Sequence, residues 1–234
     1  MAIGSVWEEE AERFVAILHL SQERALHPEL SRLIEDCPGE QLLDYGCGDG
    51  RILETLSSRW VIDAYDPSSL MRNIAQRRVG SRVRRLASNP AEVDGPYDVV
   101  LLGMVILCIP ERDDVLRVLR DCALRMKASS RLFVTTTHPC FRPSHFSNFK
   151  TSFGGAQPFQ YLADGAPFEV TLRDSGTTGI VFTDYHWSLG FTVSALRSQG
   201  LAVSSLIEVP DDPESPDRND LVPPFLILEC NKLS

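Results

Sequence analysis

The sequence has no CxxC pair, no His/Cys spacing of a zinc site, no run of about 18 apolar residues, no internal repeat and no low-complexity tract. These absences exclude a disulfide scaffold, a zinc module, a membrane-spanning helix and a repeat array. The six cysteines read instead as small buried hydrophobes. Positive charge is also scarce: 23 Lys and Arg stand against 32 Asp and Glu, for a net charge of −9. Such a surface repels a phosphate backbone unless its cations gather on one face. Arg72, Arg77, Arg78, Arg82, Arg84 and Arg85 do lie close in sequence, and they read either as solvated surface or as a patch for an anionic partner. The first residues, MAIGSVWEEEAERF, lack a basic leader and an apolar signal core, so a cytoplasmic location is expected.

What is present suits one full-sized α/β domain. The 234 residues are 43% hydrophobic, enough for a continuous interior. Residues 1–37 are predicted to form a helical cap of two short amphipathic helices interrupted near Pro28, with Trp7 and Phe14 covering a site or packing on another subunit. From residue 38 the period changes. Strands are predicted at 41–45, 60–65, 81–87, 97–110 and 131–139, alternating with helices opened by Pro67 or Ser68, at 111–127 and at 189–200. MKASSR, before the fifth strand, reads as a surface loop. Alternating strands and helices argue for a parallel sheet covered on both faces. Residues 201–212 and 222–233 read as two more strands forming an antiparallel edge hairpin. Residues 138–187 are rich in Phe, Tyr, Gly and Pro and begin where a strand ends, the position of a substrate lid.

LLDYGCGDGR, residues 42–51, carries the most information. Gly46, Gly48 and Gly50 follow a strand, so the backbone can turn sharply and approach a ligand without Cβ obstruction. Asp66 closes the next strand, where a carboxylate can accept from both hydroxyls of a ribose. That geometry suits NAD, FAD or S-adenosylmethionine. Asp44 discriminates among them: an acid beside the glycine turn is awkward near a pyrophosphate and compatible with an ammonium or sulfonium group.

With VIDAYDPSSLM at 61–71, YDVVLLGMVILCIP at 97–110 and RLFVTTTHPCF at 131–141, the chain resembles a class I S-adenosylmethionine-dependent methyltransferase of the small-molecule type. The likeness covers 38–137 well and 189–233 more loosely. It implies a Rossmann-like, mostly parallel sheet of seven strands in the order 3-2-1-4-5-7-6. It further implies a methyltransferase domain over 38–234, with 138–187 as a lid insertion. By the same resemblance Asp44, Gly46, Cys47 and Gly48 hold the methionine part of the cofactor and Asp66 the ribose. Pro67 and Ser68 lie beside the adenine, and Gly103 and Met104 line the methyl-bearing side. The acid that many members carry at the end of the third strand is missing from RLASNPAE, where Ser88 or Asn89 is the substitute.

Methyl transfer from a sulfonium requires alignment, and a hydroxyl or carbon acceptor benefits from a base. His138, at the end of the fifth strand, and His186, in FTDYHWSLG, are the candidate catalytic residues. Asp184 shares a strand face with His186 and could orient it. Arg142, His145 and Tyr185 are candidate acceptor contacts, and Arg173 a further anion partner. The aromatic insertion suggests a small, partly hydrophobic acceptor rather than nucleic acid, and S-adenosylhomocysteine as the coproduct. No metal is called for, no membrane partner is expected, and a monomer or homodimer acting in secondary metabolism fits. An RNA or protein methyltransferase, or a non-catalytic S-adenosylmethionine-binding regulator, is the alternative.

Overall fold

A computed structural model of the chain describes residue 15 and residues 21–154, 158–172 and 179–233. Trp7, Phe14 and Arg173, and most of the first predicted helix before residue 21, lie outside the described residues. The core is a seven-stranded sheet of β1 (Gln41–Tyr45), β2 (Val61–Tyr65), β3 (Val83–Ala87), β4 (Tyr97–Gly103), β5 (Met126–Thr137), β9 (Leu201–Val209) and β10 (Phe225–Lys232). Their order is β3-β2-β1-β4-β5-β10-β9, which is 3-2-1-4-5-7-6 when the strands of this sheet alone are counted. Neighbours pair in parallel from β3 through β5, while β10 runs antiparallel to both β5 and β9. The expected Rossmann-like α/β sheet is therefore present, and its terminal hairpin wedges β10 between β5 and the edge strand β9.

Both faces of the sheet are buried, as the continuous apolar runs of β1 and β4 require. Leu42, Leu101 and Phe133 point to one face and Leu43, Val100 and Leu132 to the other. The first face is covered by α1 (His27–Glu35), by α2 (Ser69–Val79), and by a second, three-stranded sheet. The opposite face receives α3 (Arg112–Leu124) and α4 (Leu189–Ser198) through Val115, Leu119, Phe191 and Leu196. The second sheet, β6 (Phe149–Ser152), β7 (Pro167–Leu172) and β8 (Ile180–Tyr185), is antiparallel and sequential. It lies within the aromatic-rich insertion, and Phe149, Phe168, Val170 and Leu172 join the first-face core from it.

Three local readings are corrected. Pro28 does not interrupt the N-terminal helix: a π-helical turn at Gln22–Leu26 runs directly into α1, and Pro28 sits in the first turn of α1. The widened turn relieves the clash a proline makes with the carbonyl four residues back. The strand predicted at 97–110 stops at Gly103, because Met104 takes a left-handed backbone (φ 57°) and turns the chain away. MKASSR is not a loop. It forms the start of β5, with Met126 opposite Tyr97 and a register shift before Val99 meets Arg131.

Candidate functional site

The site lies at the carboxyl end of β1, β2 and β4, where a parallel sheet opens a crevice. Gly46, Gly48 and Gly50 all take positive φ (89°, 53° and 76°), the region where an L side chain is strained. Gly46 is also pressed from the side: a Cβ there would sit 2.4 Å from Val105 Cγ2. At Gly48, by contrast, a Cβ would meet nothing within 4 Å, so the loop faces open space there. Gly46 N and Cys47 N both donate to Tyr65 O, at 2.7 and 2.9 Å, which pins the loop to the end of β2.

Two carboxylates frame this loop. Asp66 accepts from Gly48 N at 2.8 Å and from Ser68 N at 2.9 Å, so it joins the glycine loop to the start of α2. Asp44 is 1% exposed, and its Oδ2 has no hydrogen-bond partner. Burial, reinforced by the charges of Asp66 and Asp49, pushes the Asp44 carboxyl up to about 8. Asp49 itself is neutralised by Arg51 and by Arg78, whose Nη1 donates at 2.6 Å. Burial likewise drives the Cys47 thiol well above its usual range, so it packs as a hydrophobe.

These groups surround a cavity of about 190 Å³ lined by Asp44, the 46–49 loop, Asp66, Pro67, Gly103 and Met104. Its far wall comes from Gln22, Leu26, His27 and Leu30, which the sequence did not tie to the crevice. Ser21 holds that segment in place, its Oγ lying 2.6 Å from Asn148 Oδ1 and 3.1 Å from Asp211 Oδ1. A smaller cavity of about 80 Å³ adjoins the first, sharing Gln22, Met104 and Cys108 with it. Met104 stands in the common wall. Its left-handed backbone, uncommon for a residue with a side chain, is fixed by donation from Met104 N to Thr135 O at 3.0 Å. The second cavity is roofed by Val170, Leu172, Phe182 and Asp184 of the small sheet and floored by Thr137 and Phe225.

The remaining sequence candidates are placed differently. Ser68 is fully buried and spends its side chain capping α2. Ser88 Oγ donates to Glu92 Oε1 at 3.2 Å and Asn89 caps a short turn, so neither lines the cavity. His138 Nδ1 accepts from Cys140 N at 3.3 Å and Nε2 donates to Glu208 at 3.0 Å; burial lowers its pKa. His186 donates from Nε2 to Tyr161 O at 2.7 Å, edge-on to Phe159, and burial lowers its pKa too. Neither histidine lines either cavity, and no hydrogen bond joins His186 to Asp184. His145 and Tyr185 also lie off both cavities, the former exposed.

Arg142 is not at the surface awaiting an anion. It is 3% exposed, donates to Thr137 Oγ1 and stacks on Phe168 with 4.6 Å from Cζ to the ring centroid. Five of the six clustered arginines are likewise engaged within the chain: Arg72 donates to Asp66 O, Arg78 pairs with Asp49, Arg82 donates to Ser57 O, Arg84 chelates Asp63 and Arg85 donates to Glu92 O, while Arg77 is exposed. Among the described residues, no three His, Cys, Asp or Glu side chains are placed to hold a metal ion. No described helix is long and apolar enough to cross a membrane.

Residues 43–127, which hold the glycine loop, Asp66 and the β4 end, match a family model described as a methyltransferase domain. That stretch of the chain carries a methyltransferase domain. Solved structures agree with it in fold across nearly the whole chain. The CcbJ methyltransferase from Streptomyces caelestis superposes with a TM-score of 0.72 at 13% identity, covering 100% of both chains. A putative S-adenosylmethionine-dependent methyltransferase from Listeria monocytogenes gives 0.63 at 20% identity, covering 93% of this chain and 100% of the other. The glycopeptide N-methyltransferase MtfA, solved with S-adenosylmethionine, gives 0.59 at 10% identity over 89% and 87%. Comparison with curated protein sequences gives no match.

S-adenosylmethionine is the ligand bound in the MtfA structure. The crevice fits it: the orphaned Asp44 oxygen offers an acceptor to a cationic group, and the open face at Gly48 admits close approach to backbone.

Proposed function

We propose that the protein transfers the methyl group of S-adenosylmethionine to a small-molecule acceptor held in the second cavity. The observation that carries this reading is the pair of adjoining cavities divided at Met104: one against the glycine loop, the other small, apolar and roofed by the insertion. In this reading residues 138–187 act as the lid of the methyltransferase domain and the segment ending at residue 37 as its N-terminal cap. A chamber of about 80 Å³ favours a small acceptor group over a folded macromolecule. Five of the six clustered arginines have partners within the chain, and two of them, Arg78 and Arg84, are paired with Asp49 and Asp63, which lowers the positive charge left for an RNA substrate.

S-adenosylmethionine supplies an electrophilic methyl group on a sulfonium. Asp44 and the backbone of Gly46–Gly48 hold the amino-acid part, and Asp66, fixed by Gly48 N and Ser68 N, faces the ribose. Met104, locked by Thr135, sets the passage between the cavities, and the phenyl rings of Phe182 and Phe225 exclude water from the acceptor. His138 and His186 act as buried structural donors that fix the insertion.

Calorimetric titration with S-adenosylmethionine and S-adenosylhomocysteine, with NADH as control, tests the cofactor half. Saturable binding of the sulfur nucleotides, weakened by Asp66→Ala, is expected; a folded sample that binds neither would overturn it. Transfer of labelled methyl to a size-graded panel of small acceptors, with bulk RNA and protein alongside, tests the acceptor half. Preferential labelling of RNA or protein would refute it.

A further inference from the structure

The second cavity holds one charged residue among its described lining, and it is Asp184. Its side chain enters from β8, on the face shared with Ile180 and Phe182, opposite Phe168 of β7. It is 2% exposed, and its Oδ1 has no hydrogen-bond partner. A buried carboxyl oxygen with no partner costs folding free energy that a purely structural role does not return. Around it the lining is mostly apolar, with Phe149, Phe182, Phe225, Val170 and Leu172; Gln22 adds an uncharged amide, and Thr137 Oγ1 is already taken by Arg142.

We propose that Asp184 is the polar anchor of the acceptor chamber, taking a hydrogen bond and then the proton from one N–H or O–H group of a small, otherwise apolar, uncharged acceptor. The inference rests on the methyl-transfer reading above and names its substrate class. Charge balance selects an uncharged acceptor. Arg142, itself buried, is the cation whose charge acts on Asp184, so the pair is neutral once Asp184 is ionised and an added ion would stand uncompensated. The proton balance closes. The lone pair of the acceptor atom forms the new bond to the methyl carbon, the carbon–sulfur bond breaks with its pair going to sulfur, and the proton of the N–H or O–H passes to the Asp184 carboxylate. Solvent takes that proton when the product leaves. Burial raises the Asp184 carboxyl to about 8, so its ionised form predominates only above that pH, where it is a stronger base than an exposed aspartate.

Three isosteric probes test this: phenol, aniline and toluene, which share a ring and differ in the donor. Their affinities are measured by ligand-observed NMR with and without saturating S-adenosylhomocysteine, on the wild-type protein and on Asp184→Leu, Asp184→Asn and Val170→Trp. At about pH 9, where the Asp184 carboxyl is ionised, phenol and aniline are expected to bind about tenfold or more tightly than toluene, the gain of one hydrogen bond to a charged group. Asp184→Leu is expected to abolish that preference, and Val170→Trp to abolish binding of all three by filling the chamber. Asp184→Asn, which keeps shape and one acceptor oxygen, is expected to retain only part of the preference and decides the matter if the leucine variant does not fold. Equal binding of toluene, a preference unchanged in either Asp184 variant, or probe binding that survives Val170→Trp would each overturn the proposal. The phenol and aniline arms separate a hydroxyl from an amine acceptor. S-adenosylhomocysteine affinity, followed in the same samples, keeps the outcomes apart: its absence refutes the methyl-transfer reading, whereas its presence without donor preference refutes the role of Asp184 alone.

Discussion

Asp44 makes cofactor affinity depend on pH in a way that can be calculated. Its carboxyl is wholly buried, has an oxygen without a partner, faces the negative charges of Asp66 and Asp49, and is pushed up to about 8 in the empty crevice. A cationic cofactor group favours the ionised carboxylate, so binding below pH 8 must expel the proton first. The observed dissociation constant is then the intrinsic one divided by the ionised fraction. That fraction rises close to tenfold between pH 6 and 7, about fivefold between 7 and 8, and only about twofold between 8 and 9. Near pH 7 binding should release nearly one proton per site, and calorimetry in two buffers of different ionisation enthalpy counts it. In Asp44→Asn the affinity at pH 8 is expected to fall, the steep rise below pH 8 to vanish and the released proton to disappear. Ionisation of the cofactor's own amino group is common to both proteins and cancels in the comparison. A wild-type affinity that is flat from pH 6 to 8, or the same slope in the asparagine variant, would refute the reasoning.

The pH dependence of stability follows from groups of opposite sign. Asp44 and Asp184 titrate higher in the folded protein than the roughly 4 of an unfolded aspartate, so the stability they contribute is present at low pH and lost as pH rises through about 8. The ligand-free melting temperature should therefore climb as pH is lowered from 9 to 7. His138 and His186 are lowered from 6.5 by burial, so the stability they contribute is present above that value and lost as pH falls below it. The climb should level off near pH 6.5, and a melting temperature that falls steadily from pH 9 to 7 contradicts this account. Gly46→Ala forces a Cβ into Val105 at a φ of 89° and should cost about 1–3 kcal/mol in chemical denaturation while weakening cofactor binding; unchanged binding would show that the loop conformation is not required. His138→Ala and His186→Ala should leave turnover close to wild type while lowering the melting temperature, because His138 bonds Cys140 N and Glu208 and His186 bonds Tyr161 O, all away from both cavities; a collapse of turnover in a folded variant would restore a histidine base.

The cofactor crevice was legible because its parts are local. Asp44, Gly46 and Gly48 sit within five residues, and Asp66 lies at the equivalent point of the next strand, so period and spacing alone bring them together. The acceptor chamber was not, because its walls come from Gln22, Met104, Thr137, Val170, Asp184 and Phe225, whose meeting depends on how the insertion folds back on the sheet. One signal was available and unread: in PFEVTL and IVFTDY the alternation Phe168-Val170-Leu172 and Ile180-Phe182-Asp184 is the period of strands with one buried face. It puts Asp184 among hydrophobes, where a carboxylate needs a reason to be. His138 misled for the opposite cause. Its place at the end of β5 points toward the crevice, but the turn begun by Pro139 and the distant Glu208 draw the ring aside.

The two orphaned carboxyls imply an order of events. Asp44 and Asp184 belong to adjoining cavities that share Met104, each has an oxygen without a partner, and burial raises both to about 8. The empty protein therefore carries two unsatisfied polar groups that a pair of ligands would satisfy, so its stability should rise stepwise as each cavity fills. The cofactor cavity is the larger and takes the cationic ligand, whereas the smaller acceptor chamber offers one charged group, Asp184, among its described lining. Filling the first cavity closes the Met104 side of the second, which completes the wall against which the acceptor packs. Cofactor before acceptor is the expected sequence, visible as tighter binding of phenol or aniline with S-adenosylhomocysteine present than without it. By linkage the same factor must appear in the affinity for S-adenosylhomocysteine when the probe is added first. Probe affinities identical in the two conditions would mean that the cavities act independently and that Met104 does not couple them.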